Sequence, residues 1–315
     1  MKDLVSIIVP LYKSEDYIEK CAVSLLEQTY DNIEYVFVND CTPDRTIEIL
    51  NQIVDKYPKR KQCVKIINMP ENQGHANCRN IGLKYCHGIY SIQIDSDDYV
   101  DITMIEKMYD FLKDNNADMC CCDFYEMTNN GTYAVRIPDD MASKDSVKNY
   151  KYGIEYSAHW NKLIKTSLIK DNDIYCIPNI NNWVDIGQTL RLRMVAKKIV
   201  LLHEPLYYYN RTNPNSVSKT LTKKRGEQML LTANVLSEFL KNYGKEYEPM
   251  ANYLYFIASA YWAVSGKFEE WLAIYPDKHK AVCSYPIGIL RKIFYYLLVK
   301  RRFIICEIIR KYTKG

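Results

Sequence analysis

The feature that most limits what this chain can fold into is a rhythm. Between residues 5 and 124, five short apolar runs alternate with four segments of helical spacing. Val5–Val9, Ile33–Val38, Val64–Ile67, Ile89–Ile94 and Ala117–Phe124 read as strands, with continuous apolar character that implies burial on both faces. Tyr17–Leu26 carries Ile18, Cys21, Ala22, Leu25 and Leu26 at helical spacing. A helix carrying Ile47, Leu50 and Val54 follows Thr42-Pro43, a pair that reads as an N-cap and first helical residue. His75–Cys86 and Met104–Leu112 are the other two helices. Such alternation predicts an α/β domain, a mostly parallel sheet with helices on both faces.

The rhythm stops near residue 125. Asn129-Asn130-Gly131 is a turn, and the stretch after it is mixed and rich in Tyr, Asn and Asp. A helix over Ile186–Ala196 and a strand over Ile199–Leu202 are the clear elements before Thr220. Beyond it the pattern is helical over 223–242, 248–265 and 286–312. The expected division is therefore a domain over 1–220 and a helical region over 221–315. With 315 residues and 48% hydrophobic content, both parts can bury a core.

Charge and cysteine narrow the setting. Residues 287–314 hold eight Lys/Arg against one acid, Glu307, a local +7 on a chain of net +4, so the rest carries −3. That asymmetry points to an anionic partner for the tail alone. Eleven Cys include the adjacent Cys120, Cys121 and Cys122 and no C-x-x-C pair. Neighbours on a strand face opposite ways, so the run is no disulfide framework and reads as small core filler. A reducing cytoplasm is expected, since Met1-Lys2-Asp3-Leu4 opens no signal peptide. The longest apolar run, Ile293–Val299, falls short of the ~20 residues of a spanning helix.

Ligands of open α/β sheets bind beyond the carboxyl ends of the strands. Those ends carry Pro10, Leu11 and Tyr12; Asn39 and Asp40; Asn72, Gly74 and Arg79; and Asp95, Ser96, Asp97 and Asp98. Four acids on one edge repel unless protons or a cation intervene. Asp-x-Asp offers hard oxygens to Mg²⁺ or Mn²⁺, and such an ion would bridge to a diphosphate. Asp97 and Asp98 read equally well as caps of the helix starting near Ile102. No G-x-G-x-x-G or G-x-x-x-x-G-K-[ST] is present, and the five His are scattered without H-E-x-x-H. A standard dinucleotide site, a P-loop and a zinc site are disfavoured.

The ordered set of motifs resembles family 2 glycosyltransferases. Val5-Ser6-Ile7-Ile8-Val9-Pro10-Leu11-Tyr12 is similar to their opening strand, and Val38-Asn39-Asp40 to their second-strand acidic motif. Asn72-Gln73-Gly74 with Cys78-Arg79-Asn80-Ile81-Gly82 resembles their Asn-x-Gly…Ala-Arg-Asn-x-Gly segment, and Asp95-Ser96-Asp97-Asp98 their Asp-x-Asp element. Trp160-Asn161-Lys162-Leu163, Trp183-Val184-Asp185 and Glu204-Pro205-Leu206-Tyr207-Tyr208-Tyr209 extend the likeness over residues 4–218. The resemblance implies the GT-A nucleotide-sugar-binding fold, a Rossmann-like sheet. It implies an inverting, metal-dependent transfer of a sugar from a nucleotide donor, with UDP expected, to a glycan or lipid-linked glycan in surface polysaccharide synthesis.

The implied roles follow position by position. Tyr12 stacks on the base beside Pro10 and Leu11, and Asp40 accepts a hydrogen bond from it. Arg79 lies near base or diphosphate, with Asn72, Gly74 and Ser96 lining the donor site. Asp95 and Asp97 hold Mn²⁺ or Mg²⁺. Asp185 is the general base, with Trp183 beside the acceptor. Arg211 and Ser216 close over the phosphates. Three positions depart from the family pattern: Lys13, Cys78, and Val184 where a glutamate is usual.

Alternatives stand beside these roles. Asp185 also fits a helix N-cap. Trp160, Trp183 and Tyr207–Tyr209 suit either an acceptor cleft or a core. A sugar nucleotidyltransferase would need a Gly-rich loop after the first strand, which Leu11-Tyr12-Lys13-Ser14 is not. A non-catalytic nucleotide-sugar-binding or membrane-scaffold protein is the second class. In the tail, Ile289, Ile293, Leu297, Ile304, Ile305, Ile308 and Ile309 alternate with Arg and Lys clusters. That pattern suits a helix on an anionic membrane surface, or one docked on the body with its charges solvated. Nucleic-acid recognition motifs are missing from the sequence.

Overall fold

The computed structural model describes residues 2–148, 156–214, 222–274 and 279–312. The chain forms two compact units, one of residues 1–144 and 154–216, the other of residues 145–153 and 217–315. The short segment 145–153 thus leaves the first unit for the second, an exchange that no sequence signal marks.

The first unit is a nine-stranded sheet with helices. In chain order it contains β1 (Val5–Leu11), α1 (Ile18–Leu26), β2 (Ile33–Asn39), α2 (Thr46–Val54), α3 (Pro58–Lys61), β3 (Val64–Asn68) and α4 (His75–Tyr85). Then come β4 (Tyr90–Gln93), β5 (Tyr99–Val100), α5 (Met104–Asp114), β6 (Met119–Thr128) and β7 (Gly131–Val135). One helix of the other unit, α6 (Asp145–Lys148), precedes β8 (Lys162–Lys165), α7 (Thr166–Lys170), α8 (Val184–Val195) and β9 (Ile199–Asn210).

The strand order is β3-β2-β1-β4-β8-β6-β9-β5, with β7 paired to β6. β1 pairs parallel with β2 on one side and β4 on the other. The chain therefore winds outward to β3 and then reverses across β1, and the crevice of this switch point opens at the carboxyl ends of β1 and β4. All seven residues of β1 are buried, as a central parallel strand requires. Ile7, Val9, Leu25, Phe37, Ile92, Met108 and Leu163 join one continuous core.

Four expectations need correction. β8 was not foreseen; it lies antiparallel between β4 and β6. β9 runs on to Asn210, because bulges take up His203 and Glu204 on one side of Pro205 and Leu206 on the other, while Pro205 itself stands opposite Asp123. A bulge is where a sheet tolerates proline. α2 starts at Thr46, after Thr42-Pro43. Arg45 holds the N-cap position, and Asp44 closes the turn before it: its Oδ1 accepts from the Thr46 amide at 3.2 Å and from the Thr42 hydroxyl at 2.7 Å. The tail, expected as one helix over 286–312, is two, broken at Arg301, whose φ is +54°.

The second unit is helical: α6 with α9 (Lys223–Lys241), α10 (Glu248–Ala258), α11 (Ala260–Val264), α12 (Phe268–Ile274), α13 (Ile289–Val299) and α14 (Phe303–Tyr312). Phe256, Trp271, Tyr285, Tyr295 and Leu298 form its core. No described helix is long and apolar enough to cross a membrane.

Candidate active site

The loop before α4 and the helix itself build one wall. Asp40, 3% exposed, follows β2 and accepts from the backbone amides of Gln73 (2.7 Å) and Gly74 (2.8 Å). Asn72 donates to the Asp40 carbonyl at 3.3 Å. Gly74 has φ +84°, and a Cβ there would stand 2.2 Å from Asn181 Oδ1. The positive φ favours glycine, and a Cβ would displace the Asn181 side chain. Asp40, Asn72 and Gly74 thus come together, with Asp40 anchoring a loop.

Arg79 projects from α4 toward the carboxyl end of β4. It is 5% exposed, ion-paired with Asp95, and 3.4 Å from Gln93 Oε1. Burial alone would lower its pKa; the Asp95 charge overrides that and raises it. The guanidinium is therefore a permanent buried cation at the switch point.

The acids after β4 divide by partner. Asp98, 2% exposed, accepts from the Tyr207 hydroxyl and from the Asn210 amide at 2.7 Å. Asp97 accepts from Asn213 Nδ2 at 2.8 Å. Neither caps α5, whose approach is fixed by Asp101 accepting from the Thr103 amide at 2.8 Å. Burial, and then the charge of Asp95, raises the Asp97 pKa. Burial also raises Asp98 well above the usual range, with Asp97 and then Asp95 adding to it. Ser96, 9% exposed, shares a 2.6 Å hydroxyl contact with Ser14.

Asp185 is the second residue of α8, two positions past the N-cap position held by Trp183. Its Oδ1 accepts from the Ile186 amide at 2.9 Å. Burial raises its pKa; Arg79 opposes the shift and Asp95 adds to it. These mutual influences place Asp185 within electrostatic reach of the Arg79–Asp95 pair. Trp183 has φ +59°, an uncommon conformation for a bulky residue. Val184, where the family usually has a glutamate, is 8% exposed.

Pro10 and Leu11 end β1, and Tyr12 beyond them is 38% exposed with the Lys13 ammonium 5.5 Å from its ring centre. Arg211 follows β9, but its guanidinium is ion-paired with Glu126 at 2.7 Å, so it is not brought to the acids. Ser216 lies outside the described residues. Of the aromatics that suited either a cleft or a core, Trp160 and Tyr207 are core, while Trp183, Tyr208 and Tyr209 are half-buried. Trp160, 8% exposed, stacks on the fully buried Tyr207 at 4.3 Å and on Tyr209 at 5.3 Å. Cys120, Cys121 and Cys122 are fully buried in β6.

Sequence reasoning missed the polar ties between α4 and the loop leading to α8. Asn80 exchanges two bonds with the Cys176 backbone, at 2.9 and 2.8 Å. Asn77 donates to Asn179 Oδ1 at 3.0 Å, and Asn181 Oδ1 accepts from the His75 amide at 3.0 Å. Gln93 donates to Gln188 at 3.0 Å. The partners are about a hundred positions apart, which spacing alone cannot connect. Asn210 and Asn213, which hold Asp98 and Asp97, were also missed. His159, 3% exposed, is kept neutral by burial and then by Arg79 and Lys162.

Asp95 and Asp97 fit a small divalent cation. Each keeps an oxygen outside the bonds to Arg79 and Asn213. No group of three His, Cys, Asp or Glu converges among the described residues. Two carboxylates suit Mg²⁺ or Mn²⁺, which complete their shell with water and substrate phosphate.

Comparison with known proteins bears on this geometry. The family model described as glycosyl transferase family 2 matches residues 6–172. The glycosyltransferase EpsJ of Bacillus subtilis, described as uncharacterized, is 32% identical over 226 residues, covering 70% of this chain and 64% of EpsJ. The poly(ribitol-phosphate) β-N-acetylglucosaminyltransferase TarS of Staphylococcus aureus is 30% identical over 229 residues, covering 71% of this chain and 36% of TarS. A crystal structure of S. aureus TarS residues 1–349 with UDP superposes with a TM-score of 0.71 at 19% identity, covering 100% of this chain and 91% of that one. The matched region thus spans less than two thirds of these two relatives.

Proposed function

The chain belongs to glycosyl transferase family 2, and from that premise we propose that it moves a sugar from a UDP-sugar to a hydroxyl of a glycan or lipid-linked glycan, with inversion. The observation that carries the reading is the pair of raised carboxyls, Asp97 and Asp185, both within electrostatic reach of the buried Arg79, which is itself ion-paired with Asp95. Support for UDP comes from TarS, whose structure contains it. The same relative, by its name, glycosylates poly(ribitol-phosphate), which supports a polymeric hydroxyl acceptor; the glycan acceptor and a role in surface polysaccharide synthesis are what the family resemblance implies. In this reading the enzyme is cytoplasmic, at the inner face of the cell membrane.

Each residue has a task in this reading. Tyr12 lies under the base with Pro10 and Leu11, while Asp40 holds the Asn72–Gly74 loop and spends a remaining lone pair on a base N–H. Ser96 meets the ribose side. Arg79 stands by the diphosphate and needs no reorganisation as leaving charge develops. Asp95 and Asp97 would hold a Mn²⁺ or Mg²⁺ ion, which would supply further positive charge at that diphosphate. Asp185 takes the acceptor proton, and burial, by raising its pKa, makes it a stronger base than an exposed carboxylate. Trp183 borders the acceptor. Arg211 reaches the phosphates only after leaving Glu126.

The test is water-driven hydrolysis of a panel of nucleotide sugars, with Mn²⁺ or with EDTA. UDP release from one donor should vanish with EDTA and with Asp97→Ala. Asp185→Asn should lower turnover roughly 10²- to 10⁴-fold with little change in KM. Val184 favours a second reading, a non-catalytic nucleotide-sugar-binding or scaffold protein. Tight UDP binding without turnover, in the presence of lipid-linked acceptors, would select it. A chain that binds no nucleotide would remove both.

A further inference from the structure

α13 and α14 are apolar on two opposite faces. Phe294, Tyr295 and Leu298 turn α13 into the core of the helical unit, and Cys306 does the same for α14. The opposite face of α13 presents Ile289 (75% exposed), Ile293 (46%) and Tyr296 (50%). The opposite face of α14 presents Ile304 (81%) and Ile308 (50%). With Leu290 and Ile305, seven of the fourteen large apolar side chains exposed among the described residues lie between 289 and 308. An ordinary docked helix is polar on its outer side. A contiguous apolar patch of this kind marks a docking surface.

The charge around the patch identifies its occupant. Arg291, Lys300, Arg301, Arg302 and Lys311 are exposed beside it. Lys300, Arg301 and Arg302 form the turn between the two helices; Arg301 is paired with Glu269 at 2.9 Å, which leaves Lys300 and Arg302 as the turn's outward charges. The single acid of the segment, Glu307, is already held by Arg310. A protein partner would have to bring apolar area and acids together. The headgroup layer of an anionic bilayer offers both by composition. Each helix is about 15 Å long, too short to span a bilayer and suited to lying along it.

We propose that α13 and α14 form a monotopic docking surface for anionic lipid bilayers, with Ile289, Ile293, Tyr296, Ile304 and Ile308 entering the headgroup–acyl boundary and the Lys300–Arg302 turn meeting lipid phosphates. The surface stands on its own exposure and charge, so it survives or fails independently of the transferase reading.

The test is co-sedimentation of the full chain with phosphatidylcholine vesicles, with and without phosphatidylglycerol. Binding should be at least about tenfold stronger with the anionic lipid and should weaken as salt rises. The triple variant Ile289→Ser, Ile304→Ser, Ile308→Ser should lose vesicle binding. The double variant Lys300→Glu, Arg302→Glu should lose the preference for phosphatidylglycerol. Both should keep the wild-type circular dichroism and thermal transition, because every substituted side chain is exposed. Absence of wild-type binding to anionic vesicles overturns the proposal, as does binding that the triple variant retains. A concentration-dependent dimer abolished by the triple variant, without vesicle binding, would assign the face to a second copy instead.

Discussion

The two edges of the sheet treat acidic residues in opposite ways. At the amino edge, Glu34 accepts from the amides of His87 and Gly88 and from the Ser6 hydroxyl. Asp118 accepts from Lys165 Nζ at 2.9 Å and from the amides of Lys197 (2.8 Å) and Lys198 (3.3 Å). Burial alone would raise both pKa values, yet these donors overcome it and lower them. At the carboxyl edge, Asp97, Asp98 and Asp185 are all raised, by burial first. One edge spends its acids on stability. The other keeps acids with too little compensation, a state that persists where a cation or a proton is to be received.

The largest effect should come from breaking the buried Arg79–Asp95 ion pair at the carboxyl edge. Arg79→Met strands Asp95 beside Asp97 and should lower stability by roughly 3–5 kcal/mol in urea titration. Adding Asp95→Leu should recover most of that loss, because no buried charge is then left alone. If the single variant is no less stable than wild type, the buried pair is not what holds α4 to β4.

The comparison sharpens with a pair of neutralisations. Glu34→Gln should cost about 1–2 kcal/mol, since two backbone amides lose a charged acceptor. Asp97→Asn should be neutral or slightly stabilising, because it removes a charge that the fold penalises while an amide oxygen still accepts from Asn213. Equal losses in the two variants would erase the distinction between the edges.

The smallest effect is a pH slope. The folded pKa of Asp118 lies below its unfolded value, so the unfolded chain binds more protons between the two. Its contribution is present above the unfolded carboxylate range, near pH 4, and is lost as pH falls toward the folded value. Asp118→Asn should therefore lower stability by about 1 kcal/mol at pH 7 and converge with wild type as pH falls through the folded value. A constant difference across that range would mean that the bonds, not the charge, carry the effect.

Much of the first unit was legible because its signals are local. Apolar runs of strand length and helical repeats found β1 to β4, β6 and the helices α1, α2, α4 and α5. β8 stayed hidden because its four residues, Lys162-Leu163-Ile164-Lys165, sit in a polar stretch and pair only with strands distant in sequence. β9 was cut short because Pro205 reads as a strand stop, and only the partner strand reveals the bulge that admits it. Asp40, Arg79, Asp95, Asp97 and Asp185 were legible as types at strand and helix ends. Their division of labour was not: that Asp40 anchors a loop, that Arg79 takes Asp95, and that Asn213 takes Asp97.

The sequence by itself determined the α/β alternation, the edge on which the polar groups gather, and the basic, apolar character of the tail. These follow from periodicity and composition, which act between near neighbours. Only the tertiary structure decided which acids are compensated, which aromatics become core, and which face of α13 and α14 remains outward. Those outcomes depend on burial and on partners brought together across up to a hundred or so residues. Burial sets the cost of a charge, and no local pattern carries it.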